Sequence, residues 1–492
     1  MFDLKQELSE NVTDRFYIDG QWVECQSSGR YTLIDPATER ELFEVPLAGA
    51  ADVERAVSAA RVAFDNGPWP RMTALQRSVH LHRLADALAA RAGLHARLWT
   101  LQVGAPISLA TALSPRGAAR VRYYADLASR YAFEVRRPSQ RGSLRVRRVP
   151  VGVAALVVPW NAVLPILAQK LGAALAAGCT CVVKSPPESP LDALVLAECA
   201  HEAGIPPGVV NVITADRVES ALLVASAKVD KVSFTGSLAA GKQIAISAAD
   251  RMARVTLELG GKSAAILLDD AVLTDVMPTL VPLTMPLSGQ FCFAQSRLLV
   301  PRSRLEELVR TYVSIIDRLV VGDPWNTSTQ IGPLLNRRQM DRTLGYIEQG
   351  REAGARVVAG GHRSHGQDHG FFVAPTVFTE VNAGMAIARE EIFGPVVTIQ
   401  AYDSEEEAIN IANDTDLGLS GTVFSQDCER AYEMATRLRT GQVGVNGLDL
   451  SPDAPFGGHR KSGMGREGGP EGLEAFLETT AILMPSLTAS ER

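Results

Sequence analysis

The spacing of hydrophobic residues changes character along this chain. Over 51–65 (ADVERAVSAARVAFD) and 74–92 (ALQRSVHLHRLADALAARA) apolar residues recur every three or four positions, the spacing of one helix face. Two packing helices are expected, with Asp52 as the cap of the first. From Val151 the pattern becomes continuous apolar blocks alternating with helical periods. VGVAALVV reads as a buried strand, ILAQKLGAALAAG as a helix ending near Gly178, and TCVVK as a second buried strand. LDALVLAECAHEAG, VVNVIT, RVESALLVASA, KVSFTG and AAGKQIAISAA continue as helix, strand, helix, strand and helix. Strands that are apolar on both faces need cover on both faces, so the alternation predicts an α/β unit with a parallel sheet of the dinucleotide-binding type. Mixed α/β texture resumes over 331–436, with FFVAPTVF and the helix EEEAINIAND, and predicts a second α/β domain.

Composition narrows the class. A chain of 492 residues has room for two or three domains. Hydrophobic residues at 46% and charged residues at 21% exclude general disorder. With 49 Lys and Arg against 55 Asp and Glu, the net charge is −6, which offers no overall attraction to nucleic acid or an anionic membrane. Six arginines between Arg136 and Arg148 therefore read as a solvated β-ribbon rather than a nucleic-acid contact. The apolar stretch from Pro150 to Ala168 is broken by Pro159, Asn161 and Pro165, so no membrane span is expected. Six scattered cysteines make neither a disulfide scaffold nor a zinc site, and the acidic N-terminus lacks the pattern of a leader, so a cytoplasmic location is expected. His362, His365 and His369 sit in a Gly-rich loop without accompanying carboxylates, and no metal is expected there.

Three residues carry candidate chemistry. Asn161, in PWNAVLP at the exit of the first apolar strand, is either an amide donor for an oxyanion or an Asx turn. Glu258, in the apolar run VTLELGGKS, is either a base biased toward its neutral form or a solvent-facing strand residue. Cys292, between Phe291 and Phe293 in SGQFCFAQSR, is either inert filler or a nucleophile whose neighbouring backbone amide joins Asn161 in holding an oxyanion.

These segments, with FTGSLAAG, EEIFGPV, ANDTDLGLSGTVFS and PFGGHRKSGMGRE, stand in the order found in the aldehyde dehydrogenase superfamily, and the chain resembles that family nearly end to end. The resemblance implies a Rossmann-like cofactor domain (1–129 and 150–258), an α/β catalytic domain (259–477), and a small β oligomerisation element (130–149 and 478–492) making a homodimer or homotetramer. It implies Cys292 as nucleophile, Glu258 as base, Asn161 as oxyanion donor and Lys170 behind them. NAD is the implied cofactor, with NADP possible. Trp160, Lys184, Phe234, Thr235, Gly236, Ser237, Gly241, Leu259, Gly260, Glu391 and Phe393 would line its site. Thiolate attack on an aldehyde gives a thiohemiacetal, loss of hydride leaves a thioester, and activated water releases an acid.

The sequence departs from the family in two places on the cofactor side. Pro187 stands where many NAD-preferring members carry a glutamate, with Glu188 one position later, and ADRVES replaces the usual glycine-containing turn after VVNVIT. Gly463 to Gly468 fits G-x-G-x-x-G but follows a polar loop rather than a strand, so it is not read as a dinucleotide fingerprint. By the resemblance, the positions that flank the nucleophile in the family are here Pro286, Leu287, Phe291 and Phe293, with Ala162 and Ile166 opposite. None is charged, which points to an apolar aldehyde: aromatic, terpenoid or medium-chain. The Leu448–Ala454 loop lines the entrance in the family, so Asp449 and Asp453 are further candidates. A cysteine hydrolase of esters or thioesters, and a non-catalytic protein on the same fold, are the competing classes.

Overall fold

In the computed structural model, residues 8–140, 142–367 and 369–485 are described. An eight-stranded sheet has five parallel strands at its centre, in the order Arg254–Glu258, Lys231–Thr235, Val153–Val157, Thr180–Ser185 and Val210–Thr214. The antiparallel hairpin Arg15–Ile18 and Gln21–Glu24 extends one edge. Along Val153–Val157, successive side chains enter opposite cores. Ala154 and Leu156 pack under the helices Ala74–Ala90, Pro115–Arg130, Val163–Ala177 and Leu191–Glu202, while Val153, Ala155 and Val157 pack with the helix Ala50–Asp65. Burial on both faces explains why this strand reads as an unbroken apolar run. Gly178, at φ +99°, ends the Val163–Ala177 helix in the left-handed conformation that glycine adopts without steric cost.

The second sheet has seven strands, in the order Arg356–Ala359, Thr376–Thr379, Val396–Tyr402, Arg297–Pro301, Ala264–Leu267, Ser420–Phe424 and Gln442–Val445. All are parallel except the first pair. The arginine-rich segment forms a ribbon, Glu134–Ser139 with Gly142–Pro150, and Leu477–Pro485 adds a third antiparallel strand. Arg145 and Arg147 both lie beside Glu134, at 3.3 and 3.5 Å. Residues 486–492 of the expected β element lie outside the described residues. Among the described residues, no helix is long and apolar enough to cross a membrane.

Two expectations need correction. Asp52 is not the cap of the first helix, which starts at Ala50 behind Gly49. It sits three positions past that cap and reaches back, accepting hydrogen bonds from Gly49 N and Gln26 N, both at 3.0 Å. Gly49 has no side chain to satisfy the free amides, so a carboxylate one turn inside does so. Residues 463–474, assigned above to the second domain, instead lie on the first sheet. Gly463–Met464 pairs antiparallel with Leu257 and Glu258, and Gly469–Glu474 packs on the Val163–Ala177 helix.

Asp52 is fully buried, so truncating it strands two amide donors. Asp52→Ala is expected to lower unfolding free energy by about 1–2 kcal/mol, measured by chemical denaturation; a change of a few tenths would show that water replaces the carboxylate.

Candidate active site

Ligands of open α/β sheets bind outside the carboxyl ends of the strands, where strand order reverses. Here the chain runs outward from Val153–Val157 through Thr180–Ser185 and Val210–Thr214, then returns to Lys231–Thr235 on the other side. Trp160 and Asn161 follow the first of these strands, Gly236 and Ser237 follow Thr235, and Glu258 ends its own strand. Gly260 and Gly261 lead almost directly into Ala264–Leu267 of the second sheet. Cys292 precedes Arg297–Pro301, and Glu391 and Phe393 precede Val396–Tyr402. The carboxyl ends of one sheet thus meet the amino ends of the other. One cavity between them is lined by Trp160, Asn161, Gly236, Glu258, Cys292 and Glu391.

The backbone before Cys292 is tightly folded. Leu287, Ser288 and Gly289 are all left-handed, at φ +51°, +57° and +78°, a conformation costly for residues with a Cβ unless the surroundings hold it. Ser288 donates to Gly332 O at 2.8 Å, and the Gln290 side chain bridges Leu287 O and Leu335 N. These bonds deliver Cys292, partly exposed to the cavity. Asn161 Nδ2 donates to Gln290 O at 2.8 Å, and Trp99 Nε1 donates to Asn161 O at 2.7 Å. One hydrogen of the Asn161 amide is thereby used, leaving the second for a ligand oxygen. Burial pushes the Cys292 thiol up, with Glu391 and then Glu258 adding to the shift.

Glu258 is buried, and neither carboxylate oxygen has a hydrogen-bond partner among the described residues. Burial, with Glu467 next, raises its pKa well above the ordinary 4.5, against opposing pulls from Lys170 and Arg466. A Cβ at Gly457 would lie 2.7 Å from Glu258 Oε1, so glycine there leaves the carboxylate its space. Lys170 does not line the cavity. It lies behind it, fully buried, bonded to Glu467 and to Ser233 Oγ at 3.1 Å, and Ser233 donates to Glu467 at 3.0 Å. Glu467 was missed in the sequence, where only its place in GMGRE hinted at a role.

Of the residues expected to hold the cofactor, Trp160, Thr235, Gly236, Ser237, Leu259, Gly260, Glu391 and Phe393 line the cavity. Lys184, Phe234 and Gly241 stand behind this wall. A Cβ on Gly236 would lie 2.5 Å from the Phe234 ring, and one on Gly241 equally close to Leu259. Phe234 is therefore the floor beneath Gly236 rather than a surface contact. Ser237 caps the Leu238–Asp250 helix, whose free amides suit phosphate. The Glu391 carboxylate accepts from Gly261 N at 3.1 Å, and burial lifts its pKa to about 7. Trp160 and Phe393 meet edge to face at 5.5 Å. Lys184 is buried, its pKa pulled to about 8 by burial against the opposing pull of Glu188 and Asp216. Glu188 and Asp216 are thus the carboxylates whose charge reaches Lys184.

On the other side, Ala162, Ile166, Phe291 and Phe293 line the cavity as expected, joined by Trp99. Phe291 stacks on Phe293 at 4.9 Å and meets Trp99 edge to face at 6.2 Å. Leu287 does not reach the cavity: its left-handed backbone turns it into the apolar cluster behind, with Trp99 and Ala162. Leu450, Ser451 and Ala454 supply the loop at the entrance, whereas Asp449 and Asp453 are absent from the lining. Gln169, read in the sequence as a position without a tryptophan, lines this end too, as do Arg116 and Arg120, which went unrecognised as pocket residues in the sequence. The four-residue spacing of the two arginines, which puts them on one face of the Pro115–Arg130 helix, was the available signal.

Comparison with known proteins accords with this geometry. The profile of the aldehyde dehydrogenase family matches residues 22–482. The chain is 44% identical over 470 residues to geranial dehydrogenase of Castellaniella defragrans, covering 95% of this chain and 98% of that protein. It is 44% identical over 472 residues to 3-succinoylsemialdehyde-pyridine dehydrogenase of a Pseudomonas species, with the same coverage. Among solved structures, Mycobacterium tuberculosis aldehyde dehydrogenase complexed with NAD+ superposes with a TM-score of 0.94 at 40% identity, covering 96% of this chain and 98% of that one. A mutant of Pseudomonas syringae aldehyde dehydrogenase C complexed with NAD+ and octanal gives 0.93 at 41% identity, covering 96% and 97%. A glycine-lined cofactor wall, a cysteine on a tightly turned loop and a buried glutamate facing one cavity have the same explanation as these likenesses: the chain belongs to the aldehyde dehydrogenase family.

Proposed function

We propose that this protein oxidises an aldehyde to its carboxylic acid with NAD, using Cys292 as nucleophile, Asn161 as oxyanion donor and Glu258 as base for water. The observation that carries the reading is the meeting of these three groups in one cavity, with Glu258 unpaired and Asn161 retaining a free N–H. The lining residues suit the dinucleotide: Gly236 and the helix amides after Ser237 offer room and donors for phosphate, and the buried Glu391 carboxylate offers an acceptor for ribose hydroxyls. Bound there, NAD supplies the hydride acceptor. NADP is admitted too, since Pro187 removes the usual selecting carboxylate, while Glu188 and Asp216 near Lys184 favour NAD.

The chain's own residues account for the remaining steps. The Cys292 sulfur bonds to the aldehyde carbon, and its proton passes to solvent water as that bond forms, because burial disfavours a resting thiolate. The second Asn161 N–H then stabilises the oxygen that gains charge. After the thioester has formed, Glu258 takes a proton from water as water adds to the acyl carbon; its raised pKa makes it a stronger base than an exposed carboxylate. A hydrolase would use the same cysteine and glutamate, but the glycine-lined wall and buried Glu391 would then be purposeless.

The aromatic wall of Trp99, Phe291 and Phe293 with small Ala162 opposite supports a medium or large aldehyde whose chain beside the reacting carbon is apolar, in keeping with the geranial and octanal named for two relatives. The sheet of Glu134–Ser139, Gly142–Pro150 and Leu477–Pro485 supports assembly into a homo-oligomer, since it leaves Ile482, Leu483 and Met484 exposed in a row. The cytoplasm is the compartment that suits a chain with six unpaired cysteines.

Glu258→Gln should still give a rapid burst of reduced nicotinamide but stall with an acyl group on Cys292, steady-state turnover falling about 10²–10⁴-fold. Cys292→Ala should give no burst yet still bind NAD. Rapid-mixing absorbance and intact-protein mass follow both, and near-normal turnover by Glu258→Gln would assign water activation to another group. For substrate, kcat/KM for terpenoid and medium-chain aldehydes should exceed that for the four-carbon acid semialdehyde by about tenfold or more, since each additional buried methylene contributes about 0.8 kcal/mol. A preference for the four-carbon acid would overturn the apolar reading.

A further inference from the structure

The aldehyde end of the cavity is apolar, but its far bank carries charge. Arg120 Nη1 donates to Pro165 O at 2.6 Å, in the first turn of the Val163–Ala177 helix. Arg116 lies one turn before Arg120 and is exposed, and both line the cavity. Gln169 projects from the facing helix about one 5.4 Å turn beyond Pro165, 7% exposed, with an Oε1 that has no hydrogen-bond partner. Among the described residues no carboxylate forms an ion pair with Arg116 or Arg120.

The charges around this bank do not balance. Burial lowers the Arg120 pKa to about 10, and Arg116 adds repulsion; of the carboxylates only Glu467 opposes the shift. Glu467 is itself engaged by Lys170 and Ser233, and Glu258 is biased toward its neutral form. Cations drawn from water without a counter-charge are unfavourable. A guanidinium pair on adjacent turns of one face is also the usual partner of a carboxylate, which it binds through parallel hydrogen bonds.

We propose that Arg116 and Arg120 receive a carboxylate at the far end of the substrate, making the preferred substrate an ω-oxo carboxylic acid whose apolar spacer lies against Trp99, Phe291 and Phe293. This rests on reading the cavity as the aldehyde site and specifies the second end of the substrate. The spacer would run from Cys292 past Ala162 to the Pro165 turn, all of which line the same cavity.

The test compares 8-oxooctanoate with octanal, a pair matched in length, in the full-length protein, in Arg116→Gln, and in Arg120→Lys as a conservative variant that keeps a donor near Pro165 O. The wild type should favour the oxo acid by about tenfold or more in kcat/KM, about 1.4 kcal/mol. Arg116→Gln should collapse that ratio toward one, chiefly through a higher KM for the acid, and Arg120→Lys should lower it less. A wild-type ratio at or below one overturns the assignment of Arg116 and Arg120. So does an Arg116→Gln variant that slows both substrates equally and keeps the ratio, since that is the signature of a structural role. Absence of cofactor reduction with either aldehyde would instead contradict the proposed oxidation itself.

Discussion

The buried ion pair of Lys170 with Glu467, shared with Ser233, is the contact on which the site depends most. Its partners are 297 residues apart in the chain, one on the Val163–Ala177 helix beside the first sheet, the other on the segment that returns from the second domain. Removing one member of such a pair costs about 3–5 kcal/mol, because a charge is left buried alone. Here the pair fastens the Gly463–Met464 strand and the Gly469–Glu474 helix against the cofactor sheet. That segment closes the cavity behind Glu258. Burial keeps the proton affinity of the Glu258 carboxylate high, and of the pair beside it Glu467 adds to that shift while Lys170 opposes it.

A second constraint sets the nucleophile. Three successive left-handed residues, Leu287 to Gly289, can persist only because the side chains of Ser288 and Gln290 tie the turn to Gly332, Leu287 and Leu335. The same turn presents Gln290 O to Asn161. Cys292 and Asn161, the proposed nucleophile and oxyanion donor, are thereby positioned by one piece of backbone.

Strand and helix order in the first sheet was legible because burial on both faces writes continuous apolar runs, as in Val153–Val157. Asn161, Glu258 and Cys292, the residues proposed for the chemistry, stand in motifs whose neighbours are adjacent in sequence, and the structure brings all three to one cavity. What escaped depended on distant partners. Glu467 lies in a polar loop, and nothing nearby in sequence reveals Lys170. Leu287 is a pocket residue by the family resemblance, but its left-handed backbone carries the side chain into the cluster with Trp99 and Ala162. Arg116 and Arg120 look like any solvated face of an amphipathic helix until the facing helix is in place. Asp52 reads as the cap itself in the sequence, but the helix starts behind Gly49, three positions earlier, and the carboxylate acts by reaching back.

If Glu258 is the group that activates water, the rate of acyl-enzyme breakdown, measured in single-turnover experiments across pH, must report its protonation. The account predicts that this rate falls as pH drops through a single ionisation lying well above the ordinary carboxylate value of 4.5, and that the limb disappears in Glu258→Gln. A breakdown rate that titrates at the ordinary carboxylate value, or a limb that survives the substitution, would contradict it.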